Sequence, residues 1–262
     1  MSSIKKLVNP ISKCGVGIAE LGKSRELGMP NLDDIIWAAM TFIDLNYNAS
    51  YLRILGRESF LKTLRESPQE MTVDEVRYLL VQFLNDWGCR LRNYDDVTAS
   101  KLKDYVITVH PDLLSFQNYS ILDFDFEDQG NNQKIINLFN KFWTFSGGSQ
   151  IASNFGSTAT SKTLHIVNPN LFIMWDDGIR YQYGFIMGSG SDYLEFSKEI
   201  RRISENLVNE SNERYGTGDP ALFLSQKLNI NPSFSLVKFI DEFNWLTHTK
   251  KLSRPADWVP LF

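Results

Sequence analysis

The feature that most constrains this chain is a series of apolar stripes recurring at helical spacing, with very few stretches that alternate as strands do. Leu32, Ile35, Ile36, Ala39, Met40 and Ile43 fall on one face behind Asn31, a side chain suited to capping the free amides of a first turn, so a helix is expected over about 32–46. Thr72-Val-Asp-Glu75 has the form of a capping box, and behind it Val76, Leu79, Leu80, Phe83, Leu84 and Trp87 trace a stripe that ends at Gly88. Further stripes lie at Ile135, Leu138, Phe139 and Phe142, at Tyr193, Phe196, Ile200, Ile203 and Leu207, and at Leu236, Phe239, Ile240 and Phe243. Only Val106-Ile-Thr-Val109 and Leu171-Phe-Ile-Met174 suggest short strands. An all-α fold with few or no strands follows.

No internal repeat or low-complexity linker interrupts residues 31–248, so residues 31–249 read as a single helical domain, arranged as two lobes with turns at Gly147-Gly148 and Gly184 to Gly190. Residues 1–30, with Gly15, Gly17, Gly22, Gly28, Pro10 and Pro30, read as an irregular segment. Cys14-Gly-Val-Gly17 has neither a preceding strand nor a following Gly-Lys-Ser/Thr, which argues against a phosphate loop. Residues 250–262 read as a tail returning Trp258 and Phe262 to the body.

With 43% apolar residues among 262, the chain can bury a continuous core without a metal or disulfide staple. Cys14 and Cys89 are far apart and lack partners at ligand spacing, so no metal or cofactor is expected and a reducing, cytoplasmic setting is. The opening residues carry two lysines but break at Pro10 before any long apolar run, unlike a signal peptide, and no stretch approaches the roughly eighteen apolar residues of a membrane span. A net charge of −4 disfavours a protein that coats nucleic acid over its whole surface, while leaving room for a local basic footprint.

The segment 155–180 differs in composition from the rest. Ser157, Thr158, Ala159, Thr160 and Ser161 are small, so the backbone there can approach another molecule and offer amides to a phosphate at the start of the helix carrying Lys162 and His165. Asn168-Pro169 should end that helix, and the apolar run Leu171 to Trp175 should bury a connector before Asp176 and Asp177. A lysine and two carboxylates thus emerge beside an apolar wall.

In this order of small-residue turn, lysine on the following helix, apolar connector and helix-opening aspartate, the segment resembles the helix-hairpin-helix DNA glycosylases. The resemblance implies an all-helical enzyme that flips a damaged or modified base out of DNA and excises it, with Lys162 as Schiff-base nucleophile and strand-cleaving lyase activity in consequence. It also implies that Asp176 acts as the electrostatic or activating carboxylate, with Asp177 as its neighbouring alternative. Ser157, Thr158, Thr160, Ser161 and Arg180 become the expected DNA contacts, and Trp143, Phe155 and Trp175 the wall receiving the base. DNA is then the expected partner, with no membrane. Such chemistry suits these residue types: a desolvated lysine deprotonates at lower cost and can attack the sugar carbon, while a carboxylate stabilises the cationic sugar. Two other readings use the same residues. One is a non-catalytic helical module that binds nucleic acid or protein. The other is a metal-dependent nuclease built on Asp176, Asp177 and Glu195, which lacks the sheet on which such carboxylates are usually arranged.

Overall fold

The computed structural model describes residues 29–43, 45–91, 95–145 and 155–260, which form helices and connectors with no β-strand, the all-α fold that the stripes predict. The glycine-bearing stretch up to Gly28, the Gly147-Gly148 pair and Phe262 lie outside the described residues.

Helix α1 (Leu32–Phe42) starts on a reciprocal cap: Asn31 Oδ1 accepts the Asp34 N–H at 3.0 Å and the Asp34 carboxylate accepts the Asn31 N–H at 3.1 Å. It stops short of residue 46, because the Leu45 N–H turns back to the Phe42 carbonyl at 2.9 Å and Asn48 Nδ2 takes the Ile43 carbonyl at 2.9 Å. With those carbonyls satisfied outside the helix, the chain restarts as α2 (Asn46–Leu55) and then α3 (Glu58–Glu66). The Thr72 capping box forms as its sequence indicates, and the rod behind it runs through α4 (Val73–Glu75), a π-helical segment π1 (Val76–Val81) and α5 (Gln82–Asp86). The widened turn leaves Leu79 half-buried while Val76, Leu80, Phe83, Leu84 and Trp87 are in the core.

Both suggested strands resolve differently. Val106 and Val109 are buried one helical turn apart within α6 (Asp96–Leu114). Leu171 ends a turn and Phe172 to Met174 follow it without regular secondary structure, their backbone served without a ladder: the Phe172 carbonyl accepts from His165 Nδ1 at 2.7 Å and the Ile173 carbonyl accepts from the Tyr193 hydroxyl at 2.8 Å. Side chains here do what a neighbouring strand does in a sheet.

Helices α7 (Gln129–Thr144) and α10 (Gly190–Tyr215) pack closely where α10 begins. A Cβ on Gly190 would lie 2.5 Å from the Ile136 carbonyl oxygen, so only glycine permits this approach. Trp175 fills the space beside them, within 5.7 Å of the Phe139 ring centroid, 5.2 Å of Tyr193 and 5.3 Å of Phe196. Helix α12 (Leu236–Asn244), continued by the π-helical segment π2 (Trp245–Thr249), packs on α1; the short helices α9 (Asp177–Gln182) and α11 (Pro220–Lys227) flank it. The tail after residue 250 returns Trp258 to the core surface and ties Arg254 to Asp34 at 2.9 Å.

At the centre lies α8 (Gly156–Val167), touching α7 on one side and α3 and α5 on the other, with every residue from Ala159 to Val167 buried. His165 is fully enclosed. Its Nδ1–H must donate to the Phe172 carbonyl, which leaves Nε2 to accept the Tyr51 hydroxyl at 2.8 Å. Burial, first, and the nearby Lys238 and Arg65 charges push its pKa down to about 3 against the raising effect of the Phe172 bond.

A depressed histidine pKa means that the fold holds the neutral ring while the unfolded chain takes up a proton below about 6.5. The contribution is therefore fully present above that pH and is lost as pH falls toward 3. Wild type is expected to be more stable than His165→Gln at pH 7.5, with the gap narrowing by about 2–3 kcal/mol at pH 4.5. Urea melts of both proteins at the two pH values check this; a gap that holds constant removes His165 as a source of acid sensitivity.

Candidate active site

The small-residue stretch is helix rather than turn. Gly156, with φ of +83°, opens α8, and the polar side chains that follow are occupied inside it: Thr160 Oγ1 donates to the Gly156 carbonyl at 2.8 Å and Ser161 Oγ lies 3.0 Å from the Thr158 carbonyl. Ser161 also joins the helix to the connector, accepting the Trp175 N–H at 3.2 Å. Trp175 Nε1 donates to the Ser157 carbonyl at 3.2 Å. Thr160, Ser161 and Trp175 are thereby placed in the core: Thr160 turns back onto its own helix, while Ser161 and Trp175 staple α8 to the connector. Ser157 and Thr158 are half-buried at the helix start. Phe155 is buried against Phe142 and Phe145, and Trp143 is half-buried against the core.

Asp176 is the N-cap of α9. Its Oδ1 accepts the Ile179 N–H at 2.9 Å, and the Thr249 hydroxyl lies 2.8 Å from each carboxylate oxygen. Thr249 reaches it over Gly178, where an added Cβ would stand 2.8 Å from Thr249 Oγ1. Asp177 is exposed and pairs with Arg180 at 2.8 Å. The Arg180 guanidinium is turned inward, not toward a phosphate: Nη1 holds the carbonyls of Phe185 and Ile186, so the residue pins the chain between α9 and α10.

Lys162 points into the protein. Only 5% exposed, its ammonium donates to the Trp87 carbonyl at 2.5 Å and sits 5.6 Å from the centroid of the Trp87 ring. It is not alone there. Lys238 of α12, fully buried, is 2.8 Å from Glu242 and 3.7 Å from Asp241, with Phe42, Tyr51 and Trp87 rings 4.5, 5.0 and 5.2 Å away. Burial raises Asp241 to about 6 and Glu242 to about 7; Lys238 opposes both shifts, Lys162 opposes that of Asp241, and Asp176 adds to it. Asp176 also acts on His248, which burial and Lys251 hold down at about 4. The structure thus brings Lys162 and Asp176 into one electrostatic neighbourhood, together with residues that the sequence did not single out: Trp87, Lys238, Asp241, Glu242, His248 and Thr249.

A sequence signal for part of this set was present. Lys238, Asp241 and Glu242 have the spacing of intrahelical ion pairs, which on a solvated helix is unremarked, but the helix holding them is short and lies between apolar segments. Among the described residues no three His, Cys, Asp or Glu side chains converge as metal ligands do, and no helix is long and apolar enough to cross a membrane. Compared with family models, curated proteins and solved structures, the chain gives no match.

Removing one member of a buried ion pair leaves an uncompensated charge. Lys238→Met is expected to destabilise the fold by about 3–5 kcal/mol at pH 8, where Asp241 and Glu242 must be ionised, and by clearly less at pH 5, where they can protonate. Raised carboxyl pKa values give stability that is present at low pH and lost as pH rises through them, so the sign is fixed. Denaturant midpoints of the variant and wild type at both pH values measure it.

Proposed function

We propose that the protein is a DNA glycosylase, acting on a damaged or modified base in a flipped-out nucleotide, with Asp176 as the carboxylate at the sugar. The observation that carries this reading is the setting of Asp176: half-buried, directly after a wholly buried connector, and fixed by the Ile179 amide and the Thr249 hydroxyl. A carboxylate held in advance stabilises positive charge as it develops, without reorganising at the moment of reaction. As the N-glycosidic bond breaks, its electron pair leaves with the base nitrogen and positive charge spreads over the sugar carbon and ring oxygen. Water adds to that carbon; Asp176 takes the proton that the water gives up and returns it, through solvent, to the departing base nitrogen.

Lys162 enters as a buried donor already engaged by the Trp87 carbonyl. Schiff-base attack requires a neutral amine at the sugar carbon, whereas this ammonium donates to the Trp87 carbonyl at 2.5 Å. Hydrolysis therefore suits the geometry better than lyase chemistry, which requires Lys162 to leave that carbonyl. The resemblance of residues 155–180 to the helix-hairpin-helix glycosylases supports the same reaction class through the order of lysine-bearing helix, apolar connector and helix-opening Asp176, with helix where the hairpin turn is expected at Ser157 to Ser161.

A second reading, a non-catalytic helical module that binds nucleic acid or protein, is favoured by the complete engagement of Lys162 and of the Asp176 cap in internal bonds. It predicts salt-sensitive binding with no released base.

Incubation with duplexes carrying deaminated, oxidised and bulky modified bases, followed by mass spectrometry of the small-molecule fraction, separates the two. Wild type is expected to release at least one base, Asp176→Asn to lose roughly 100-fold or more of that rate, and borohydride to trap no protein on DNA. Trapping that vanishes in Lys162→Ala would restore Lys162 as nucleophile. No release across the panel would overturn the glycosylase reading in favour of the module.

A further inference from the structure

A carboxylate that meets the sugar of a DNA strand also repels the phosphates on either side of that sugar, and the chain as a whole carries a net charge of −4. Several of the residues expected to hold those phosphates are turned inward. Thr160 and Ser161 are buried, and the Arg180 guanidinium is bonded to the Phe185 and Ile186 carbonyls. Cations from another element must therefore offset the repulsion at Asp176.

The end of π2 supplies them. Thr249, its last residue, lies with its hydroxyl 2.8 Å from both Asp176 carboxylate oxygens, and the residues that follow it are Lys250 and Lys251, both exposed. The Lys251 charge acts on His248, as does that of Asp176. Neither lysine is ion-paired among the described residues, whereas Arg254 nearby is held by Asp34 at 2.9 Å. The Lys250 ammonium lies instead 4.6 Å from the centroid of the half-buried Trp245 ring. An aromatic face restrains an ammonium without taking its three N–H donors out of use.

Lys251 stands in a conformation that its residue type does not favour. The Leu252 N–H returns to the Leu246 carbonyl at 3.0 Å and closes π2, with Lys251 in the left-handed region at φ of +59°. Helices commonly end on glycine at this position, because a Cβ is crowded there. A cation at a helix C-terminus complements the helix dipole, which accounts for Lys250. It does not account for Lys251, since Lys250 already supplies such a charge and glycine in the next place would relieve the backbone. Strain of this kind is characteristic of ligand clamps.

We propose that Lys250 and Lys251 are a phosphate clamp for DNA, taking the phosphates that neighbour the sugar facing Asp176. The sugar's place at Asp176 rests on the glycosylase reading; the attraction of the strand to the two lysines does not. Point charges on flexible stems suit phosphates, which carry no sequence information, so the clamp fixes the strand and leaves the choice of base to other residues.

The test uses the full chain and a fluorescent duplex carrying a tetrahydrofuran abasic site, with affinity read by anisotropy over a series of potassium chloride concentrations. Wild type is expected to bind with log K falling linearly against log salt, and Lys250→Ala and Lys251→Gly each to reduce that slope by about one. Each variant is then roughly tenfold weaker than wild type at about 0.1 M salt and equal to it near 1 M. Lys198→Ala, which removes an ammonium already held by Glu195 at 2.8 Å, is expected to bind as wild type does. Lys251→Gly is expected to melt no lower than wild type, which separates loss of the charge from loss of the fold. Absence of saturable binding by wild type overturns the inference, as does a wild-type slope in either variant. Binding that depends on both lysines, with no base released from any duplex, keeps the clamp and overturns the glycosylase reading. Asp176-dependent release that is unchanged at low salt in the double variant keeps that reading and overturns the clamp.

Discussion

Everything in this fold adjusts to one constraint: α8 is enclosed on all sides although about half of its residues are polar. From Ala159 to Val167 no residue is exposed, and the enclosed run includes Thr160, Ser161, Lys162, Thr163 and His165. Each polar side chain in such a helix must find a partner or bear the full cost of desolvation. Thr160 and Ser161 turn back onto their own helix, His165 bridges Tyr51 and the connector, and Lys162 reaches the end of α5. The positions of α2, α5 and the connector relative to α8 are set by these bonds as much as by apolar contact. An all-apolar helix would pack as well but would leave the Phe172 carbonyl, the Tyr51 hydroxyl and the Trp87 carbonyl without these partners.

The same constraint explains which parts of the structure were legible in the sequence. Helices with one wet face advertise themselves: the stripes of α7 and α10 fall on the buried faces observed, and the Asn31 and Thr72 caps are formed by local geometry that a few adjacent residues determine. A helix buried all round has no polar face to give contrast, so Ser157 to Ser161 read as a turn. Leu171 to Met174 read as a strand for a related reason. Its apolar run correctly signals burial, but the groups that satisfy its carbonyls, His165 and Tyr193, come from elsewhere in the chain.

The candidate site was legible to the extent that it is local. Asp176 before a short helix, after an apolar connector, is a pattern of neighbours, and its capping geometry follows from that pattern. Its other partner, Thr249, is far along the chain and reaches it only because Gly178 leaves the space. Lys162 was readable as a residue type but not as a direction, since its inward course depends on the Trp87 carbonyl at the end of α5. The ion pairs of α12 had the spacing of surface pairs, and nothing local distinguishes a helix that is wet on that side from one covered by α1 and α10.

Compensation in this region is uneven. Lys238 pairs with Asp241 and Glu242, the Lys162 charge also acts on Asp241, and burial still holds both carboxyls above their ordinary values. Of the carboxylates in this neighbourhood Asp176 is the half-buried one. A carboxylate at the outer end of a cluster whose inner end is paired draws a cation to that end. Under the glycosylase reading the cation is the sugar at the moment the base departs, and the paired inner carboxylates keep Asp176 as the one that meets it.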